Sequence, residues 1–233
     1  MMDSIPILLV PGLGSSFRSY APVAPALWPF GLVTVANHNR DDHMGAIARR
    51  ILAEAPPRFA LAGHSMGGYI AFEIMRQAPE RVLKLALINT QARPDTAEAS
   101  ERRRAAIAHV REGGLHDVID EMFPLFVHPS RAGDAAIRKL VHDMADDIGA
   151  EGFIRQQSAI IARADSRPTM ASIRCPTLVL TGDQDKLIPN TLSKEMAESI
   201  AGAKLVIIAD CGHCPQPEQP QATAAALAEW LRI

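Results

Sequence analysis

Apolar residues cluster in six short uninterrupted or nearly uninterrupted runs, at positions 7–10, 32–36, 59–62, 83–88, 178–180 and 205–209. Runs this short, without polar alternation and closed by Gly, Asn or Asp, suit strands covered on both faces of a parallel sheet. Between most of them the apolar positions recur at helical spacing, over 46–55, 68–78, 191–200 and 220–233. Strands alternating with amphipathic helices predict right-handed crossovers and a doubly wound, mostly parallel α/β sheet. One interval departs from this rhythm. From 92 to 167 there is no strand signal, only helical patterns at 96–112, 115–127, 134–148 and 151–164, divided by Gly113-Gly114, Pro129 and Gly149. The expected organisation is a core made of 1–91 and 168–233 with a helical segment, 92–167, inserted beyond the strand that ends at Ile88. That is the side on which open α/β sheets bind ligands.

Composition narrows the class. With 233 residues, 48% hydrophobic and 21% charged, and a formal charge of −2, the chain can bury a sizeable core and is not disordered. A nucleic-acid partner is not expected, because neutralising phosphates needs a surplus of Lys and Arg. The only basic cluster, Arg102-Arg103-Arg104 beside Glu101, reads as a solvated helix face. The first residues carry no basic stretch, and the apolar run up to Val10 is too short for a signal peptide or a membrane span. No membrane partner is expected, then, and the expected address is the cytoplasm. Three cysteines in a chain of this size do not make a disulfide framework and would be thiols there.

The sharpest local feature is Gly63-His64-Ser65-Met66-Gly67-Gly68, directly after one strand pattern and directly before a helical one. A serine on a strained strand-to-helix turn lifts its hydroxyl above the sheet, and its close neighbours must lack a β-carbon. Gly63 and Gly67 satisfy that. The short pattern alone would arise by chance in roughly one chain in ten of this length, so its setting carries the weight. A serine hydroxyl is a poor nucleophile and needs a base and an orienting acid. Asp185, in Thr181-Gly182-Asp183-Gln184-Asp185, and His213, in Asp210-Cys211-Gly212-His213, each follow a later strand pattern. Three such residues after three parallel strands converge on one rim. For the anionic oxygen of a tetrahedral intermediate, the loop Pro11-Gly12-Leu13-Gly14-Ser15 offers the Leu13 N–H and the turn offers that of Met66.

These residues resemble the α/β-hydrolase superfamily, in its compact, lid-bearing branch of esterases and lactonases. The resemblance spans about 5–91 and 168–233. It rests on Pro11-Gly12-Leu13-Gly14, on the Ser65 motif, on Gly182-x-x-Asp185-x-x-x-Pro189, and on Gly212-His213 followed by Glu218 and Pro220. It implies Ser65 as nucleophile, His213 as general base, Asp185 rather than Asp183 as the orienting acid, and the helical insertion as a lid. Two departures stand out. The antiparallel hairpin that opens many relatives is missing, so the sheet should be smaller at that edge, and Pro11 stands where many carry His.

The implied activity is a metal- and cofactor-independent serine hydrolase of a small carboxylic ester, thioester or lactone, acting on a small-molecule substrate as a monomer or small homo-oligomer. C–C bond hydrolases, perhydrolases and lyases use the same three residues, and a non-catalytic receptor can keep the same pocket. Met122, Phe123, Phe126, Met144, Phe153 and Ile160 are candidates for the pocket, although helices need most such residues for packing. His64 should point away from Ser65, and His38, His43, His109, His116, His128 and His142 read as loop histidines. Glu218 reads as a helix-start carboxylate. Cys211-Gly212-His213-Cys214 resembles a redox dithiol, but it follows the last strand pattern and precedes Pro215 and Pro217, where the acidifying helix start of such motifs is lacking. No second ligand pair at zinc-site spacing accompanies it.

Overall fold

A computed structural model describes residues 4–233. Six strands, β1 (Ile7–Val10), β2 (Val33–Val35), β3 (Phe59–His64), β4 (Val82–Ile88), β5 (Thr177–Gly182) and β6 (Lys204–Ile208), form one sheet. Its order is β2-β1-β3-β4-β5-β6 and every pairing is parallel. Among the described residues no strand lies outside β2, the edge where the smaller sheet was expected.

Side chains alternate across the sheet, and each face has its own core. Leu8, Val10, Leu61, Leu85, Leu87 and Val179 pack with the helices Met44–Glu54, Met66–Gln77 and Asn190–Ser199. Ile7, Leu9, Ala60, Ala62, Ile88 and Leu180 pack with Tyr20, Leu27 and the final helix, Pro220–Arg232. Burial on both faces holds for β1, β3, β4 and β5 but not for the edge strands. β2 is only partly covered, and β6 exposes Lys204 and Ile207. An edge strand lacks the neighbour that would complete its cover, so the run pattern alone overstated its burial. Buried Lys84, the one charge in β4, reaches the end of the last helix and donates to the carbonyl of Leu231 at 2.9 Å. It thereby satisfies a carbonyl left over at a helix C-terminus.

Between β4 and β5 the chain forms Ala97–Arg111, Leu115–Phe126, the long helix Ala135–Ile161 and the short turn Arg167–Met170. The two patterns expected at 134–148 and 151–164 are one continuous span broken by a single residue. Gly149 has φ 71° and ψ 164°, a conformation open in practice only to glycine. These helices enclose a third core, including Ile107, Val118, Ile119, Phe123, Val141, Met144 and Phe153. The last turns of the long helix leave it, since Ala159 and Ile160 join the core of the sheet. No helix among the described residues is long and apolar enough to cross a membrane.

Candidate active site

β3 runs straight into the helix Met66–Gln77 with Ser65 alone at the corner, at φ 52° and ψ −114°. A non-glycine residue held there costs on the order of 1–3 kcal/mol and persists only if its surroundings fix it. They do. The Ser65 N–H donates to Ile88 O at 2.9 Å, and its carbonyl accepts from the Thr90 hydroxyl at 2.8 Å and from the Gly68 N–H at 2.9 Å. A β-carbon on Gly67 would stand 2.1 Å from Val10 O, and one on Gly63 2.3 Å from Gly67 O. The turn closes only because both positions are bare.

The three chemistry-bearing side chains meet. His213 Nε2 lies 2.9 Å from Ser65 Oγ, and His213 Nδ1 lies 2.9 Å from Asp185 Oδ2. All three are buried. Asp185 Oδ1 accepts from the N–H groups of Leu187 and Ile188, both at 2.9 Å, while Oδ2 also accepts from Asn89 Nδ2 at 2.8 Å. Burial opposes the Asp185 charge, but the facing His213 ring and these donors outweigh it and hold the carboxyl below its ordinary value. An ionised Asp185 fixes the proton on Nδ1, which leaves Nε2 free to accept from the serine hydroxyl. Asp183 lies outside this relay, where its carboxylate accepts from the Cys211 N–H at 3.0 Å and shapes the neighbouring turn.

The loop bearing His213 is braced on three sides. Asn89, just past β4, donates to Gly212 O at 3.1 Å as well as to Asp185. His64 Nε2 lies 2.8 Å from His213 O, so Nε2 carries the proton and donates. Burial, followed by the nearby His213, lowers the His64 pKa from 6.5 to about 3, and the ring stays neutral. Glu218 does more than the helix-start role expected of it. It lies in the single helical turn Pro215–Glu218, buried, and accepts from the N–H of Cys214 at that turn's start and also from those of Gly212 and His128. Three converging donors need a carboxylate more than a helix dipole does.

The loop after β1 is anchored on both sides of Leu13. Gln156 Oε1 accepts from the Gly14 N–H at 2.8 Å, and His38 Nε2 donates to Gly12 O at 2.9 Å. His38 lies in a loop, as expected, but not in an exposed one. It is buried, and burial takes its pKa from 6.5 to about 4. Met66 opens its helix, so its N–H belongs to the first-turn donors without an intrahelical partner.

Above Ser65 lies a cavity of about 250 Å³, just below the roughly 300–1,000 Å³ usual for ligand pockets. Leu13, Met122, Phe126, Met144 and Ile160 line it; Phe123 and Phe153 do not. Phe123 is enclosed in the helical core beneath the Arg138 guanidinium, and Phe153 packs against Gly14. Helical spacing cannot tell a wall from a core position one turn away. The basic run is also resolved differently. Arg104 faces solvent beside Glu101, but Arg102 and Arg103 line the cavity, with Arg103 paired to Asp95 at 3.1 Å. Cys211 and Cys214 are free thiols that burial pushes well above the ordinary range, the opposite of an acidified redox cysteine. Among the described residues no three His, Cys, Asp or Glu side chains are placed to hold a metal ion.

The sequence is matched over residues 7–226 by the model of the alpha/beta hydrolase family. It is 30% identical over 220 residues to RutD of Azorhizobium caulinodans, provisionally named a carbamate hydrolase, covering 86% of this chain and 81% of that one. A pimeloyl-[acyl-carrier protein] methyl ester esterase of Neisseria meningitidis is 24% identical, with 97% and 93% covered. Among solved structures, a thermophilic esterase from Thermogutta terrifontis superposes with a TM-score of 0.89 at 30% identity, covering 100% of this chain and 91% of that one. The chain belongs to the alpha/beta hydrolase family.

Proposed function

We propose that this protein hydrolyses a small carboxylic ester, thioester or lactone through an acyl-enzyme on Ser65. The observation that carries the reading is the unbroken chain from Ser65 Oγ through His213 to an Asp185 carboxylate held by three further donors. Ser65 Oγ attacks the carbonyl carbon as its proton passes to His213 Nε2, and the imidazolium is stabilised by Asp185. The carbonyl oxygen becomes an oxyanion served by the N–H groups of Leu13 and Met66, which are fixed before the reaction starts. The C–O bond breaks, His213 returns the proton to the leaving alcohol, and water repeats the sequence to release the acid. The helices between β4 and β5 act as a lid that walls the cavity with Met122, Phe126 and Met144. The esterase relatives support an ester substrate. A carbamate carbonyl offers the same electrophile, so the RutD relative places it beside esters in the assay panel.

Ser65→Ala should lower turnover of 4-nitrophenyl acetate by about 10⁴-fold or more while the protein stays folded. Fluorophosphonate should label the parent on Ser65 and leave the variant unlabelled. Near-normal turnover in the variant would refute the assignment, and labelling without turnover would mark a receptor instead of an enzyme.

A further inference from the structure

The cavity lining is chemically mixed. Besides Ser65, His213 and the apolar Met122, Met144 and Ile160, it includes the polar Tyr69, Gln91, Asp95, Thr96, Arg102 and Arg103. The helix carrying the arginines, Ala97–Arg111, sets Arg103 on its inner side. The guanidinium of Arg103 is held by two bonds: Nε donates to Asp95 Oδ2 at 3.1 Å and Nη1 to the buried Gln157 Oε1 at 2.8 Å. Its Nη2 forms no hydrogen bond with the described residues.

Asp95 does not neutralise this wall. Its carboxylate is shared, since Oδ1 accepts from Arg163 Nη1 at 2.7 Å while Oδ2 accepts from Arg103 and from the Ser100 hydroxyl. Arg163 is itself buried, lies 4.4 Å over the Tyr69 ring, and donates to Arg93 O. Two guanidinium groups, those of Arg103 and Arg163, thus bear on one carboxylate, and Arg102 is the second positive charge in the cavity lining itself. Glu98, on the same helix, faces Arg102 from the exposed side. A fixed planar cation in a partly dehydrated wall, with donors to spare, suits an anion with two coplanar oxygens.

We propose that Arg103 forms the centre of a carboxylate-binding subsite in the substrate cavity, so that the preferred substrate is a small ester bearing a second, ionised carboxyl group. This rests on the hydrolase reading for its kinetic test, but not for its binding test. Arg103 is a specificity residue; it takes no part in the bond-breaking at Ser65. Asp95 and Gln157 position it, and Arg102 strengthens the local field.

The kinetic test compares mono-4-nitrophenyl glutarate with 4-nitrophenyl butyrate, and adds O-acetyl hydroxy acids against ethyl acetate to ask on which side of the ester the charge sits. The native protein should favour a charged ester over its neutral partner by about 10- to 100-fold in kcat/KM, the range of a charge-assisted hydrogen bond. Arg103→Gln should erase that preference, Arg103→Lys should keep part of it, and Arg104→Gln, on the exposed side, should not alter it. Because Arg103→Gln also strips a partner from Asp95, a variant-free measurement stands beside it: glutarate should inhibit neutral-ester turnover at least about tenfold better than glutaramide. Equal preference for charged and neutral esters together with equal inhibition by glutarate and glutaramide would overturn the subsite while leaving the hydrolase intact. If no ester is turned over at all, the hydrolase reading falls, and thermal stabilisation of Ser65→Ala by glutarate but not glutaramide, lost in Ser65→Ala/Arg103→Gln, still decides the subsite.

Discussion

The rim of the sheet and the helices that cover it hold their polar groups in opposite ways. At the rim, Ser65, His64, His213, Asp185 and Glu218 are buried, and each is tied to main-chain groups or to other rim side chains. Among the covering helices, most polar contacts are side-chain pairs open to water, such as Lys139 with Asp143, Arg138 with Asp120, and the stacked rings of His116 and His142. Exposed pairs contribute about 0–1 kcal/mol each, whereas a buried polar group left unpaired costs about 1–3 kcal/mol. The rim is therefore intolerant and geometrically unique, and the cover is adaptable. A reaction common to many substrates suits the former, and choice among substrates suits the latter.

The largest test of that contrast is Gly67→Ala. Its β-carbon meets Val10 O, main chain at the end of β1, so no side chain can yield. The variant should fail to fold or lose about 3 kcal/mol or more by denaturant titration. A loss below about 1 kcal/mol would mean the corner is softer than its hydrogen bonds imply.

Acid should find the rim next. His38 and His64 are neutral when folded, with pKa values of about 4 and about 3, against 6.5 when unfolded. Below about pH 6.5 the unfolded chain binds two protons that the folded chain refuses, so stability rises with pH and falls on acidification. Each histidine contributes about 1.4 kcal/mol per pH unit down to its folded value, or about 2 kcal/mol between about pH 6.5 and 5. Glu218 works in the other direction, because burial raises its carboxyl and folding favours its proton, offsetting part of the loss. Denaturation midpoints taken from about pH 7.5 to 5 should decline, and less steeply in His38→Gln; a level profile would sink the argument.

Gly149→Ala should have the smallest effect. No atom lies within 4 Å of the added methyl, so only the backbone conformation resists, at about 1–2 kcal/mol. The melting temperature should drop modestly while neutral-ester turnover stays near the parent's. A large drop in turnover would show that the bend in the long helix sets the rim after all.

The same contrast governs what the sequence makes legible. The six strands, the corner at Ser65 and the positions of Asp185 and His213 follow from runs of apolar residues and from glycines that tolerate no substitute, features that are local in the chain. Asn89, His38 with Gln156, and the triple role of Glu218 depend on how loops from distant segments approach one another, and nothing in their neighbours announces it. A positive φ of 42° at Asn89, directly past a strand, is a backbone peculiarity visible only in three dimensions. Arg103 is the sharpest case. Within Arg102-Arg103-Arg104 the inward turn of Arg103 depends on the packing of Ala97–Arg111 against its neighbours rather than on a clear apolar stripe.

The end of the helix Leu115–Phe126 is sewn to the segment that carries the imidazole. The His213 N–H donates to Phe126 O at 3.0 Å, and Glu218 grips the N–H groups of both His128 and Gly212. On this side the helix end cannot shift without carrying the ring of His213 away from the Ser65 hydroxyl. The roof and the ring are thus one piece at this end, and whatever displaces the first displaces the second.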